Sequence, residues 1–383
     1  MGSLTRIAFT ADWHVDEYGS RVDPASGLNA RLQDYLTTAA FVVDQAGSAG
    51  AAALVIAGDF TERRHPSPWL VARIVEVLDR SPELVLALKG NHDSAKAGRS
   101  IVDVLGGRFG VIGVSSPRIV EVGDVSIACM PFLDRHWLRA QPGFESVPDA
   151  EVFRVLGEQF IGIAAGLYAQ AQRDHPGGAC VLVCHQTLAG AQMSETQRAF
   201  LGDLGLVVDA RALAAIGFEA VVAGHLHRHQ VVIPGDRPVL YAGSIERVDF
   251  GEESEPKGFI VADVGPGRFE WQFIETPARQ FVTMRDIGEV LSTEREDAHI
   301  KDAIVRVLDL DPAADVGVIR ANLEAAGAFE ITEIRRRSVE PTTTSAGMSE
   351  GLSAEQALEA YFDGDPDRAA LIERGRAILA EVG

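Results

Sequence analysis

Several short apolar runs in the N-terminal part of the chain each end in a polar turn. Their length and β-branched content are typical of buried strands, and helical patterns separate them, which predicts a layered α/β fold. In open α/β sheets, binding sites assemble at the carboxyl ends of the strands. We therefore expect the five polar turns to share one edge. The runs are Ile7–Thr10, Ala53–Ala57, Leu84–Leu88, Val181–Cys184 and Ala220–Ala223.

The turns carry a mixture of carboxylate, amide and imidazole side chains. This mixture suits Mn²⁺, and tolerates Mg²⁺, Fe²⁺ or Zn²⁺, better than it suits a structural thiolate zinc site. It also suffices for two ions that share a ligand, a centre that can clamp a phosphoryl group and activate water. The candidate residues are Asp12, His14, Asp59, Asn91, His92, Asp93, His185, His225 and His227.

Each turn taken alone also has a structural interpretation. Asp59 could cap the following helix, and Gly90–Asp93 could form an Asx turn. His185 could be a hydrogen-bonded core histidine. The segment Gly224–His227 is more specific, because alternate positions place both of its imidazoles on one face of an extended segment. Since five independent turns would have to imitate a site in the right order, we favour a metal centre.

Composition narrows the classes of function. The 383 residues hold 35 Lys and Arg against 55 Asp and Glu, a net charge of −20. This balance excludes a stand-alone nucleic-acid binder that relies on a basic surface, but it leaves metal-assisted chemistry on phosphates open. Three cysteines without a CxxC pair predict a reducing cytoplasm. No apolar run approaches the ~20 residues that span a bilayer, so we expect a soluble protein without membrane association.

The pattern changes beyond about residue 275, where a small α+β unit is predicted. Its elements are a strand at Phe281–Arg285, a strand at Ile304–Leu310, a helix at Val316–Ala326 and a strand at Phe329–Arg337. Pro341–Gly351 is rich in Thr, Ser and Gly and predicts a linker. Ser353 with Gln356, and Asp365 before a proline, then mark two helix starts. This pair is too small to bury its own apolar stripes, so it must dock on the chain or on a partner.

The ordered motifs Asp-x-His, Gly-Asp, Gly-Asn-His-Asp, His and Gly-His-x-His resemble those of calcineurin-like metallophosphoesterases. Thr10–His14, Pro131–Leu138 and Tyr241–Glu252 extend the resemblance to the SbcD-type nuclease subunit of the double-strand-break repair complex. The resemblance covers nearly the whole chain. It implies a four-layer β-sandwich flanked by helices at 1–275, a small α+β capping domain at 276–340, a linker at 341–351 and a C-terminal helical pair at 352–383.

The resemblance also implies a role for each site residue. One metal ion would be held by Asp12, His14 and His227, the other by Asn91, His185 and His225, with Asp59 bridging both. His92 would donate a proton to the leaving 3′-oxygen, and Asp93 would orient His92. The chain departs from the family pattern after Asp59, where Phe60 is followed by Thr61 and Glu62. Glu62 either replaces a phosphate-positioning neighbour or plays no such part.

The function that the resemblance implies is that of a Mn²⁺-dependent DNA nuclease with two Mn²⁺ per chain, Mg²⁺ being the alternative. It would act as a 3′-to-5′ double-strand exonuclease and single-strand endonuclease, as a homodimer, in a heterotetramer with an SbcC-like ABC-type coiled-coil ATPase. Its expected location is the cytoplasm, at the nucleoid. Arg335, Arg336 and Arg337 would contact DNA phosphates, unless they are only a solvated strand end.

Two helices, at Pro66–Arg80 and Ala95–Leu105, would form the dimer bundle, unless they simply pack on the sheet. Their apolar candidates for this contact are Val71, Ile74, Leu78, Ile101 and Leu105. Two other functions stay open for the chain as a whole. One is a small-molecule phosphodiesterase or phosphoprotein phosphatase, although phosphatases usually end the third motif with Glu where this chain has Asp93. The other is a non-catalytic adaptor that bridges DNA ends and an ATPase.

Overall fold

The computed structural model describes residues 4–19, 21–24, 27–81, 84–93, 100–107, 110–194, 197, 206–285, 297–337 and 368–382. In these ranges, two six-stranded sheets pack face to face, with helices on both outer faces. The layered α/β fold predicted from the strand pattern is thus confirmed, with the four layers that the family resemblance implies.

The strands of the described regions are short and mostly buried. In chain order they are β1 (Thr5–Thr10), β2 (Ala53–Ile56), β3 (Val85–Leu88), β4 (Val111–Val114), β5 (Arg118–Val122), β6 (Val125–Met130), β7 (Ala179–His185), β8 (Thr187–Leu188), β9 (Val207–Val208), β10 (Ala220–Gly224), β11 (Gln230–Ile233), β12 (Val239–Tyr241), β13 (Gly258–Gly265), β14 (Arg268–Glu275), β15 (Phe281–Met284), β16 (Ile304–Leu310) and β17 (Glu330–Arg336). All five strands predicted from the apolar runs are confirmed, as β1, β2, β3, β7 and β10.

The helices of the described regions lie mainly between these strands. They are α1 (Ala30–Ser48), α2 (Pro68–Leu78), α3 (Ile101–Leu105), α4 (Arg135–Arg139), α5 (Val152–Asp174), α6 (Ala210–Ala214), α7 (Asp297–Ile300), α8 (Val316–Ala325) and α9 (Arg368–Val382). A 3₁₀ turn, Phe250–Glu252, precedes β13.

The two large sheets bring the motif turns to one edge. The first has the order β14-β13-β1-β2-β3-β4, and its strands β1 to β4 are parallel. The second has the order β11-β12-β10-β7-β6-β5, with β12, β10, β7 and β6 parallel. The polar turns follow the carboxyl ends of β1, β2, β3, β7 and β10. The parallel arrangement therefore gathers the candidate residues.

The space between the sheets is filled by apolar side chains such as Phe9, Val55, Val183 and Val222. On β1 the alternate residue Ala8 faces the helix layer instead, as the two-residue period of a strand requires. Fully burying one such aliphatic or aromatic side chain contributes about 1.5–3 kcal/mol. The turns thus project from a rigid platform.

The predicted helix at Pro66–Arg80 is shorter at both ends. Ser67 caps it, because its Oγ accepts a hydrogen bond from the Leu70 amide at 3.2 Å, and Pro68 occupies the first helical position. The helix predicted from Ala95 is described only from Ile101, after a capping box between Ser100 and Asp103. Residues 94–99 lie outside the described residues.

Four of the five candidate dimer contacts are core residues. Ile74, Leu78, Ile101 and Leu105 are at most 4% exposed and pack on the first sheet with α1, whereas Val71 is half-buried. The alternative of packing on the sheet therefore holds for these four residues, whereas a dimer contact through the two helices stays a prediction.

The C-terminal region contains a third, parallel sheet in the order β15-β16-β17. We call residues 281–285 and 297–337 the three-stranded unit. Its own core includes Met284, Val305, Val307, Ile319 and Leu323. The three predicted strands and the predicted helix are confirmed, whereas the domain boundaries around them stay predictions.

The predicted linker at 341–351 and the first C-terminal helix lie outside the described residues. The second helix is present as α9. Ile372 on this helix is buried. Part of its apolar stripe is therefore covered by this chain.

Helix α5 is, among the described helices, the one that is long and apolar enough to span a membrane by length and composition. Its buried stripe includes Val152, Leu156, Phe160 and Ala164, and this stripe packs on the second sheet. Packing on this sheet accounts for the apolar residues of the buried stripe.

Candidate dimetal centre

The predicted metal ligands converge where the two sheets meet. Three overlapping groups of donor atoms lie within 4.8 Å of one another: Asp12 with His14 and His227, His14 with Asp59 and His92, and Asp59 with His185 and His225. Asn91 joins the last group, because its Oδ1 lies 3.0 Å from His185 Nε2 and 2.8 Å from His225 Nδ1. Asp59 is the link, with Oδ2 3.7 Å from His14 Nε2 and 3.2 Å from His185 Nε2.

The backbone is strained at these positions. Asp12, His14, Asp59 and His225 have φ angles of 52°, 45°, 54° and 93°, and they are four of the six non-glycine residues with positive φ in the described regions. Such conformations cost about 1–3 kcal/mol each and persist only where the surroundings enforce them. Here the Asp12 and His14 amides donate to the carbonyl oxygens of Gly58 and Asp59, both at 3.0 Å. The fold thus holds the side chains in a geometry that the local chain disfavours.

The glycines before three of the candidate metal ligands leave room for the side chains of other candidate ligands. A Cβ on Gly58 would overlap Nδ1 of His185, and one on Gly90 would overlap the Asp59 carboxylate. A Cβ on Gly224 would collide with the Ala57 carbonyl and lie 3.0 Å from His185 Nδ1. The repeated glycine-ligand pairs in the sequence are therefore a signal of close packing between the motifs.

The first donor group fits a cation because two imidazole nitrogens face each other. His14 Nε2 and His227 Nε2 are 3.0 Å apart. His14 Nδ1 donates to Glu62 at 2.7 Å, and His227 Nδ1 donates to Glu252 at 2.5 Å. Burial by itself would lower the pKa of His227, but Glu252 raises it to about 9, so without a metal ion Nε2 of His227 carries a proton that it donates to Nε2 of His14. A divalent cation would displace this proton and take both Nε2 atoms as ligands.

The second donor group holds a proton that a metal ion can displace. His185 Nδ1 donates to the Ala57 carbonyl at 2.6 Å, and its Nε2 lies 3.0 Å from the Asn91 oxygen and 3.2 Å from the Asp59 carboxylate. Burial by itself would lower the pKa of His185, but Asp59 raises it to about 9, so without a metal ion Nε2 carries a proton that it donates to these oxygens. Burial and the neighbouring His185 lower the pKa of His225 to about 3, so this imidazole is neutral and can ligate. Both donor groups fit a metal ion.

Glu62, whose role the sequence leaves open, contacts two site residues. Its carboxylate accepts the His14 hydrogen bond and lies 3.4 Å from His92 Nδ1. Its backbone carbonyl accepts from His92 Nδ1 at 2.9 Å. Glu62 therefore orients one candidate ligand and the candidate acid together.

The expectation that Asp93 orients His92 is corrected. The buried Asp93 carboxylate accepts from the backbone amides of Asp59, Phe60 and Gly90 at 2.8, 3.1 and 2.9 Å. Burial and the neighbouring Asp59 charge raise its pKa to about 7. Asp93 therefore clamps the second motif turn to the third, while the Glu62 carbonyl orients His92.

Two buried charged residues, Glu252 and Lys257, support the site although no sequence motif predicts a role for them. The charged run from Glu252 to Lys257 is typical of an exposed loop, yet Glu252 and Lys257 are only 1% and 2% exposed. Lys257 Nζ lies 2.8 Å from the Glu252 carboxylate and 3.1 Å from that of Glu255. Burial alone would raise the pKa of Glu252, but His227 and Lys257 hold it well below its usual range. An ionised Glu252 thus orients the ring of His227 and holds the proton on its Nδ1.

Replacing Glu252 by glutamine is expected to weaken binding of one of two Mn²⁺ ions about 10- to 100-fold, the usual cost of losing a carboxylate behind a ligating histidine. Calorimetric titration of the metal-free protein with Mn²⁺ measures this loss. The exposed Glu76→Gln change is the matched control and should bind as the parent does. Unchanged affinity in the Glu252 variant would show that the contact does not support a metal ligand.

The predicted DNA contacts Arg335, Arg336 and Arg337 are exposed at the end of β17. Arg336 donates to the Ala314 carbonyl at 3.2 Å, and Arg335 lies 3.7 Å from Glu333. Their contact with DNA stays a prediction.

The family model of calcineurin-like phosphoesterases matches residues 5–229, more than half of the chain. The protein belongs to this family and is a metal-dependent phosphoesterase. Two curated relatives are DNA double-strand break repair proteins Mre11. The protein from Methanosarcina mazei is 25% identical over 99% of this chain and 55% of its own length. The protein from Archaeoglobus fulgidus is 23% identical over 79% of this chain and 66% of its own length. The chain thus spans about half to two thirds of their lengths.

Among solved structures, a dimetal phosphatase from Danio rerio is similar over 72% of this chain and 99% of its own. The identity is 11% and the TM-score 0.43.

Proposed function

We propose that the protein is a Mn²⁺-dependent DNA nuclease subunit that processes DNA ends together with a coiled-coil ATPase. The single observation that carries the proposal is the pair of candidate metal-ligand groups linked by Asp59. The similarity over nearly the whole chain to a DNA double-strand break repair protein supports DNA as the substrate.

The donor set favours Mn²⁺ over Mg²⁺, because Mg²⁺ prefers oxygen ligands and this centre is rich in imidazoles. One ion would be held by Asp12, His14 and His227, the other by Asn91, His185 and His225, with Asp59 shared. When bound, the two ions would neutralise the phosphodiester, activate water and stabilise the departing oxygen.

His92 is the candidate proton donor to the leaving 3′-oxygen. Because Nδ1 donates to the Glu62 carbonyl, Nε2 is left for a substrate atom. The side chain is 34% exposed, so an incoming strand can reach it. An imidazole exchanges protons near neutral pH, which suits this task.

Binding of DNA to a chain of net charge −20 needs positive charge from elsewhere. In this proposal the positive charge comes from the cations and from Arg335, Arg336 and Arg337 as local phosphate contacts. The ATPase and the avidity of a homodimer add further affinity for DNA. Residues 1–275 form the nuclease domain and 276–340 control DNA access. The pair at 352–383 docks on the ATPase coiled coil through the linker at 341–351. The complex is a cytoplasmic heterotetramer.

Cleavage of DNA by the purified full chain tests the proposal. With Mn²⁺ we expect shortening of linear duplex from its ends and cutting of circular single strands, and both should stop in EDTA. Covalently closed duplex, which has no ends, is the control substrate. Hydrolysis of bis-p-nitrophenyl phosphate alone would instead indicate a small-molecule phosphodiesterase. Absence of bound metal and of any cleavage would indicate an adaptor, and tight duplex binding without metal would contradict our account of affinity.

A further inference from the structure

The segment that supports His227 also contacts the three-stranded unit. Glu252 accepts a hydrogen bond from His227, and the next residue, Glu253, accepts hydrogen bonds from Thr283 on β15. Its carboxylate accepts from the Thr283 amide at 2.7 Å and from the Thr283 hydroxyl at 2.5 Å. Two adjacent carboxylates thus join a candidate metal ligand to the three-stranded unit.

Aromatic and cationic side chains reinforce this contact. The ring of Phe250 packs edge-on against Phe281, with centroids 4.9 Å apart. The guanidinium of Arg306 lies 4.3 Å from the Phe250 centroid, and its Nε donates to the Thr283 hydroxyl at 2.8 Å. The Phe250–Glu252 turn is therefore held from the side of the three-stranded unit.

A second connection reaches His14. The Tyr18 hydroxyl donates to the His14 carbonyl at 3.1 Å. Farther along the same loop, a Cβ on Gly19 would only just touch the Glu330 carboxylate, at 3.4 Å, and the guanidinium of Arg21 lies 4.5 Å from the Phe329 ring. Phe329 and Glu330 belong to the three-stranded unit. Both histidines of the first donor group are thus linked to it.

The second donor group has a different surrounding. Asn91, His185 and His225 contact one another, Asp59, the Asp12 carboxylate, the Ala57 carbonyl and Phe132. Among the contacts of the described residues, none joins these three side chains to the three-stranded unit. Their support comes from the two large sheets and the turns that follow the strands.

We propose that the three-stranded unit is a positioning element for one metal of the pair. Its docking holds His14 and His227 in place, so its displacement weakens the cation bound by Asp12, His14 and His227 and spares the other. The inference rests on the two-metal centre of the proposed function and adds an asymmetry between the two sites. A substrate or partner that moves the unit would thereby change the occupancy of one site.

Manganese titration of the full-length Glu253→Ala variant tests the inference. We expect one of two binding steps to weaken about tenfold, the lower end of the effect of outer contacts on metal affinity, and the other to stay unchanged. Electron paramagnetic resonance should then show, at limiting Mn²⁺, the six-line signal of isolated ions in place of the signal of a coupled pair. The exposed Glu324→Ala on α8, which also removes one glutamate carboxylate but from the three-stranded unit itself, should behave as the parent.

A second pair of variants guards against a folding defect. Thr283→Val removes the hydroxyl without changing the shape of the side chain and should weaken the same Mn²⁺-binding step. Thr283→Ser keeps the hydroxyl and should bind both ions as the parent does. The inference would be overturned if both Mn²⁺-binding steps weakened equally. It would also be overturned if Glu253→Ala or Thr283→Val left both binding steps unchanged. A parent protein that binds only one Mn²⁺ would overturn it as well. A parent that binds two ions but does not cleave DNA would contradict the proposed substrate alone.

Discussion

Replacing Gly90 by alanine is expected to abolish Mn²⁺-dependent hydrolysis. The added Cβ would occupy the position of the Asp59 carboxylate and approach the Asp59 amide. Asp59 is the residue that both donor groups share, so its displacement removes a ligand from both. We expect Mn²⁺ affinity to fall more than about 100-fold, beyond the 10- to 100-fold cost of losing an outer contact. Calorimetric titration and cleavage of linear duplex measure the two losses.

Gly162→Ala is the matched control. Gly162 lies inside α5, and a Cβ there meets no atom within 4 Å. Alanine at this helix position should stabilise the protein by about 0.5–1 kcal/mol and leave metal binding unchanged. If the Gly90 variant kept full affinity and activity, the packing of Asp59 against Gly90 would not be needed for the centre.

The convergence of the ligands could be predicted because it depends on local patterns and one topological rule. Each buried apolar run is short and ends in a polar turn, and parallel strands place their carboxyl ends at the same edge. Asp12, Asn91 and His225 follow strands in this way, so their proximity was expected despite their separation along the chain.

The contacts behind the ligands could not be predicted in the same way. Glu252 lies in a run of charged residues that is typical of an exposed loop, and only the three-dimensional packing brings it to His227 and Lys257. The carboxylate of Asp93 is adjacent to His92 in sequence, yet three backbone amides from two turns converge on it. Side-chain partners are fixed by packing, which a local pattern does not contain.

The helices illustrate a second limit of sequence patterns. An apolar stripe has the same spacing whether it packs within the chain or against another chain. Ile74 and Ile101 were therefore equally compatible with a dimer contact and with the core, and the structure buries both in the core. The large apolar side chains exposed on α2 and α3 are instead Trp69 and Val104.

Replacing His92 by alanine is expected to lower the rate of DNA cleavage about 10²- to 10⁴-fold, the usual contribution of a general acid. Two bound Mn²⁺ ions should be retained, because the proposed ligand sets do not include His92. Its partly exposed side chain can also be truncated without leaving a buried cavity. Cleavage of linear duplex and Mn²⁺ stoichiometry are the measurements, and the exposed His65→Ala serves as the control.

A substrate with a good leaving group separates proton donation from metal ligation. The p-nitrophenolate ion departs without protonation, so the His92 variant should lose much less activity on bis-p-nitrophenyl phosphate than on DNA. The donor group of His14, Asp59 and His92 also allows His92 to be a ligand. In that case the variant would bind one Mn²⁺ fewer and lose activity equally on both substrates. Because these two patterns exclude each other, the comparison decides whether His92 acts on the leaving oxygen or on a metal.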